Sequence, residues 1–161
     1  MAINVGDKLP DATFAVMTAD GPAQKSTADV FGGRKVVLFA VPGAFTPTCH
    51  MQHMPGFVEH ADALKAKGVD AICCTSVNDV FVLANWAEQS GATGSIEMLA
   101  DGSAHFAKAL GLEIDLTERG LGVRSQRYSM LVEDAVVKTL NLEEAPPKHD
   151  LSSAEKMLAD L

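Results

Sequence analysis

The run Val36-Val37-Leu38-Phe39-Ala40-Val41 constrains this chain more than any other segment. It is β-branched and apolar, with no polar residue at alternate positions, so a strand built from it is covered on both faces. Such a strand belongs in the middle of an α/β sheet. A second apolar run, Val69 to Val77, is entered from Gly68 and reads as another buried strand. Shorter strands are expected at Glu97 to Ala100, Tyr128 to Val132 and Val136 to Leu140. The last two flank the acidic turn Glu133-Asp134-Ala135 and read as an antiparallel hairpin. Thr13 to Met17 and the Asp20-Gly21 turn look like an accessory N-terminal hairpin.

Helical spacing fills the gaps. Phe57, Ala61 and Leu64 recur on one helical face, and Gly68 sits where that helix would end. Asn78 or Asp79 is placed to cap a helix through Trp86 and Gln89. A third helix is expected from Ser103 to Leu110, stopped by Gly111. The last, Ser153 to Leu161, opens with Ser152 and Glu155 in capping-box spacing. Periodicity therefore gives an α/β chain of three layers. The 161 residues show no linker, repeat or low-complexity tract, so residues 1–161 are expected to form one domain.

Thirteen Lys and Arg against 21 Asp and Glu leave a net charge of −8. That sign repels phosphate backbones and anionic membranes, so neither nucleic acid nor membrane is expected as a partner. The cysteines are Cys49, Cys73 and Cys74. An odd and sparse set suits a reducing compartment rather than a disulfide framework. The first residues show no basic region followed by a long apolar stretch, and the expectation is a cytoplasmic protein.

The chemistry is concentrated just after the first strong strand, in Val41-Pro42-Gly43-Ala44-Phe45-Thr46-Pro47-Thr48-Cys49-His50. Pro42 and Gly43 break the strand, and Pro47 suits an early helical position, where its missing N–H would be unpaired anyway. Cys49 then falls in the first turn of a helix, where free backbone N–H groups and the helix dipole favour a negative sulfur. Thr46 can bring its hydroxyl to the same sulfur. His50 adjoins Cys49, but helical neighbours point about 100° apart, so the two do not face each other. His50 and His53 lack a fourth partner at metal-site spacing, so no metal is expected and both read as polar surface near the pocket rim. Cys73 and Cys74 alternate along a strand, point to opposite faces and read as core.

Pro42 to Cys49 matches the Pro-x-x-x-Thr-x-x-Cys signature of the peroxiredoxins, and its longer form resembles the type II, atypical or peroxiredoxin-five-like, group. Ser76-Val77-Asn78-Asp79, Leu99 to Ser103, Gly111 to Leu116 and Gly120 to Tyr128 are similar as well, so the resemblance covers nearly the whole chain. It implies a thioredoxin-like fold, with a central mixed β-sheet flanked by helices, and a homodimer in which Phe45 and Phe81 are candidate contacts. It also implies that Cys49 is the peroxidatic nucleophile, Thr46 its hydroxyl partner and Pro42 the shield of the pocket. Arg127 is the arginine that reaches the sulfur, with Arg124 as the nearby alternative. Gly43, Phe45 and Thr48 would line the substrate site.

The implied reaction is reduction of hydrogen peroxide or an alkyl hydroperoxide through a sulfenic acid, serving antioxidant defence and redox homeostasis, with no metal or other cofactor. An ordinary thiol, with a pKa near 8.5, is only a few per cent ionised at pH 7, so full ionisation gains about thirtyfold at most. The rest has to come from hydrogen bonds that strengthen as charge moves to the leaving oxygen. The sulfur is expected at the mouth of a shallow cavity. Because no cysteine follows Cys74, the expected reductant is external: glutathione with glutaredoxin, or thioredoxin. Cys74 aligns with a cysteine of some relatives and is a secondary-thiol candidate. The alternative function is a peroxide-sensing relay that uses the same cysteine.

Overall fold

The computed structural model describes residues 2–161. Its strands are β1 (Thr13–Thr18), β2 (Gly21–Ser26), β3 (Lys35–Val41), β4 (Ala71–Ser76), β5 (Glu97–Ala100), β6 (Glu113–Leu116), β7 (Gly122–Ser125), β8 (Tyr128–Glu133) and β9 (Val136–Leu142). The α-helices are α1 (Thr27–Phe31), α2 (Met54–Glu59), α3 (Ala61–Ala66), α4 (Val80–Gln89), α5 (His105–Leu110) and α6 (Ala154–Asp160). Seven strands form one sheet in the order β2-β1-β5-β4-β3-β8-β9, while β6 and β7 pair separately. Strand β3 runs parallel to β4 and antiparallel to β8, and β4 runs parallel to β5, so the central sheet is mixed. With helices on both faces it is the thioredoxin-like arrangement.

Burial explains why β3 lacks alternation. Val37, Phe39 and Val41 enter a core with Phe57, Leu64, Leu83, Trp86 and Met157, the face covered by α2, α3, α4 and α6. Val36, Leu38 and Ala40 enter a second core with Phe14, Phe31, Phe106 and Leu110, under α1 and α5. Cys74 belongs to the first core and Cys73 to the second, as the period of a strand requires.

Several local details depart from the sequence expectations. The helix expected before Gly68 is divided at His60, whose φ and ψ of −97° and 8° leave the helical region. Helix α5 begins at His105, after Ala104 in the left-handed region, because the Asp101 carboxylate rather than a Ser103 cap accepts the N–H groups of Phe106 and Ala107. Ser153, and not Ser152, caps α6 by accepting the Lys156 N–H at 3.2 Å. Ser152 is engaged elsewhere. Helix α1 and the β6–β7 pair were not expected, although the Ser26–Asp29 capping box is local and readable.

Candidate active site

Cys49 lies where β3 delivers the chain to its first helical turn. Pro42 leaves the buried strand, and Phe45 takes a left-handed φ of 64°, a conformation that strains a non-glycine residue. Gly43 is needed for close approach: a Cβ there would stand 2.9 Å from Arg124 Nη1 and 3.0 Å from the Thr46 methyl. Pro47 and Thr48 open the turn, and its first backbone bond runs from the His50 N–H to the Thr46 carbonyl at 2.8 Å. The N–H groups before His50 belong to the first turn, which lacks intrahelical acceptors.

From Cys49 to His53 the helix is of π type rather than the expected α type, with the Met54 N–H donating to the Cys49 carbonyl. Pro55 follows at once and has no N–H for the regular ladder, which accounts for the wider turn.

Arg127 meets the sulfur. It stands immediately before β8, and its Nη2 donates to Cys49 Sγ at 3.0 Å. Its Nε donates to the Pro146 carbonyl and its Nη1 to His53 Nδ1, both at 2.9 Å. Those contacts use three of the five guanidinium N–H groups and leave two for a ligand. Arg127 is 3% exposed, and among the described residues no carboxylate forms a salt bridge with it. Besides His53, the Cys49 sulfur is the side chain to which this buried cation donates. Arg124 is occupied otherwise, with Nε donating to the Leu121 carbonyl at 2.8 Å and Nη1 to the Pro42 carbonyl at 3.3 Å. It braces the loop that carries Pro42 and Gly43.

Other candidates fall at different points around the sulfur. The Thr46 hydroxyl donates to the Gly43 carbonyl at 2.7 Å and makes no hydrogen bond to Cys49, which leaves its oxygen free to accept. The Thr48 hydroxyl donates to the Pro147 carbonyl at 3.2 Å. Phe45 lies across His50 and Trp86, with ring centroids 5.5 and 6.3 Å away. His50 turns from Cys49 and accepts the Trp86 indole N–H at 2.9 Å. Cys74 and Cys73 are free, buried thiols, and burial is the first cause that pushes both pKa values up.

Two expectations are corrected by the geometry. Cys49 is 0% exposed, so the sulfur is closed over rather than set at a cavity mouth. His53 is not rim surface but 1% exposed, beside the stacked rings of Phe39 and Phe57. Its Nε2 faces the Ser152 carbonyl at 2.9 Å. A carbonyl only accepts, so Nε2 carries the proton and Nδ1 is left to accept from Arg127. The neutral form is held by burial first and by the Arg127 charge second, which bring its pKa down to about 3.

Asn78 does more than stand next to the cap of α4. Its Oδ1 accepts from the Ala44 N–H at 3.0 Å and from the Ser76 hydroxyl at 2.6 Å, tying the Cys49 turn to the end of β4. His53 and Asn78 carry no local signal of these roles, because each works through a residue distant in the chain.

The Redoxin family model matches residues 4–158. Peroxiredoxin-2E-2, chloroplastic, from Oryza sativa subsp. japonica is 54% identical over 99% of this chain and 72% of its own length. Peroxiredoxin-2F, mitochondrial, from Arabidopsis thaliana is 46% identical over 83% of this chain and 67% of its own. The crystal structure of reduced Prx3 in complex with H2O2 from Vibrio vulnificus superposes with a TM-score of 0.93 at 52% identity, covering 98% of each chain. The chloroplastic and mitochondrial names overturn the expectation of a cytoplasmic protein. Sparse cysteines report a reducing milieu, which does not distinguish one reducing compartment from another. With a family match along almost its full length and relatives at this level of identity, the chain belongs to the peroxiredoxins, thiol peroxidases of the Redoxin family.

Proposed function

We propose that this chain is a type II peroxiredoxin in which Cys49 is the peroxidatic nucleophile and Arg127 its electrostatic partner. One observation carries the reading: the buried guanidinium of Arg127 donates to Cys49 Sγ at 3.0 Å and, among the described residues, forms a salt bridge with no carboxylate. The plant relatives' names, Peroxiredoxin-2E-2 and Peroxiredoxin-2F, support the subgroup.

The sulfur, as thiolate, attacks one peroxide oxygen in line with the O–O bond. The S–O bond forms as the O–O bond breaks, and the sulfenic acid keeps the hydrogen of the attacked oxygen. The other oxygen leaves with the electron pair as hydroxide or alkoxide and takes a proton from water. The two free N–H groups of Arg127 and the first-turn N–H groups donate to these oxygens, most strongly as charge reaches the leaving one. The Thr46 hydroxyl oxygen, its proton committed to Gly43, accepts from the peroxide O–H. Pro42, Gly43, Phe45 and Thr48 shape the approach. Since the sulfur has no exposed surface, entry of peroxide displaces part of this wall.

The sulfenic acid is then reduced by an external thiol, glutathione with glutaredoxin or thioredoxin. Cys74 is buried and its thiol is held protonated, which makes it a poor internal partner. The chain acts as a homodimer through the apolar surface around the Cys49 turn, where Phe45, Met51 and Phe81 are 42, 73 and 64% exposed.

The test is peroxide consumption followed in parallel with glutathione plus glutaredoxin, with thioredoxin plus its reductase, and with neither. Sustained turnover in one of the first two arms, lost in Cys49→Ser, is expected. Oxidation that stops after one equivalent in every arm would favour the sensor reading. A Cys49–Cys74 disulfide as the main product, by non-reducing mass spectrometry, would replace the external reductant with an internal one.

A further inference from the structure

The segment from Glu143 to Ser152 leaves β9, crosses the Cys49 site and returns before α6. It touches the site at four points. The Glu143 N–H donates to the Arg127 carbonyl at 3.0 Å, and the Pro146 carbonyl accepts from Arg127 Nε at 2.9 Å. The Pro147 carbonyl accepts from the Thr48 hydroxyl at 3.2 Å, and the Ser152 carbonyl accepts from His53 Nε2 at 2.9 Å. The loop is closed on itself by one side chain: Glu143 Oε2 accepts the Ser152 N–H at 2.6 Å and the Ser152 hydroxyl at 2.7 Å. Glu143 and Ser152 are 5% and 0% exposed, so this closure is buried and not a surface contact.

A buried carboxyl group is costly unless it is hydrogen-bonded, and here both contacts go to a single residue nine positions away. Their shared effect is to hold the Ser152 carbonyl in place. That carbonyl fixes the proton of His53 on Nε2, which leaves Nδ1 to accept from Arg127 Nη1. Arg127 in turn presents Nη2 to the sulfur.

We propose that Glu143 is a positioning residue for peroxide attack, acting through Ser152 and His53 to hold the Arg127 guanidinium on Cys49. The inference rests on the reading of Cys49 and Arg127 as the peroxide site. Glu143 does not touch the reacting atoms. It sets the angle at which the guanidinium meets them, and small displacements of such a group are costly to rate.

The experiment compares two reactions of Cys49 in the intact reduced protein. One is oxidation by hydrogen peroxide, followed by stopped flow on the fluorescence of the single tryptophan, Trp86. The other is alkylation by iodoacetamide, which needs no support for a leaving oxygen. The ratio of the two rate constants isolates the contribution of Arg127 from general changes in access or folding.

Glu143→Ala is expected to lower the ratio about tenfold. Glu143→Gln keeps an accepting oxygen and is expected to stay within about threefold of wild type. Ser152→Ala removes one of the two closing bonds and should lower the ratio about two- to threefold. A ratio unchanged in Glu143→Ala overturns the proposal. If Glu143→Ala does not fold, Ser152→Ala decides in the same way: a fall supports the proposal and no change overturns it. Arg127→Gln separates the two levels. If it leaves the ratio intact, the reading of the peroxide site fails; if it lowers the ratio while Glu143→Ala does not, only the positioning role fails.

Discussion

At the scale of single residues, two arginines three positions apart do different work. Arg127 donates to the sulfur, and Arg124 holds the Pro42 carbonyl on the loop in front of it. Arg127→Gln is therefore expected to slow oxidation by peroxide about 10²- to 10³-fold, the range for loss of one preorganised donor, with Arg124→Gln well below that. Stopped-flow rates on both variants check the order. Thr46→Val should lose more rate than Thr46→Ser, because only the hydroxyl can both donate to Gly43 and accept from peroxide. His53 gives a pH prediction. Its folded pKa, about 3, lies below the unfolded value of 6.5, so below pH 6.5 the unfolded chain binds a proton that the native state refuses. Stability is thus complete above pH 6.5 and falls from there toward pH 3, at about 1.4 kcal/mol per pH unit at most from this group. Urea titrations at several pH values should show a shallower acid loss in His53→Gln than in wild type.

At the scale of elements, what the sequence discloses depends on how local the cause is. β3 was readable because its burial on both faces is written in six consecutive apolar residues, all 0% exposed. The cap of α4 was readable for the same reason, with Asp79 Oδ1 accepting the Val82 N–H at 2.9 Å. Asp79→Ala is expected to cost about 1 kcal/mol in denaturant unfolding, with little change in the peroxide rate constant. The start of α6 was misplaced by one residue because Ser152, a sound cap by spacing, is drawn to Glu143. The division at His60 and the late start of α5 likewise come from backbone and tertiary details that helical periodicity does not register. The π turn occupies a middle ground: Pro55 is visible in the sequence, but the wider ladder it imposes on Cys49–His53 emerges only in three dimensions.

At the scale of the whole molecule, the apolar side chains of Phe45 and Met51 lie on the Cys49 turn and that of Phe81 at the start of α4, all of them exposed. The proposed homodimer is checked here: wild type is expected to sediment as a dimer and Phe81→Asp as a monomer in sedimentation velocity, with the far-UV spectrum unchanged. The sequence by itself determined the strand buried on both faces, the proline and glycine that end it, and the cysteine in the turn beyond. Each of these follows from conformational preferences within a few residues. Only the tertiary structure decided which arginine reaches the sulfur, that His53 is an interior acceptor, and that Glu143 closes a loop over the site. His53 meets Arg127 across 74 positions and Ser152 across 99, and no periodic pattern encodes a meeting at that separation. Those contacts exist because the sheet brings the ends of β3 and β8 side by side, and a polar group buried there must be paired by whatever the fold delivers.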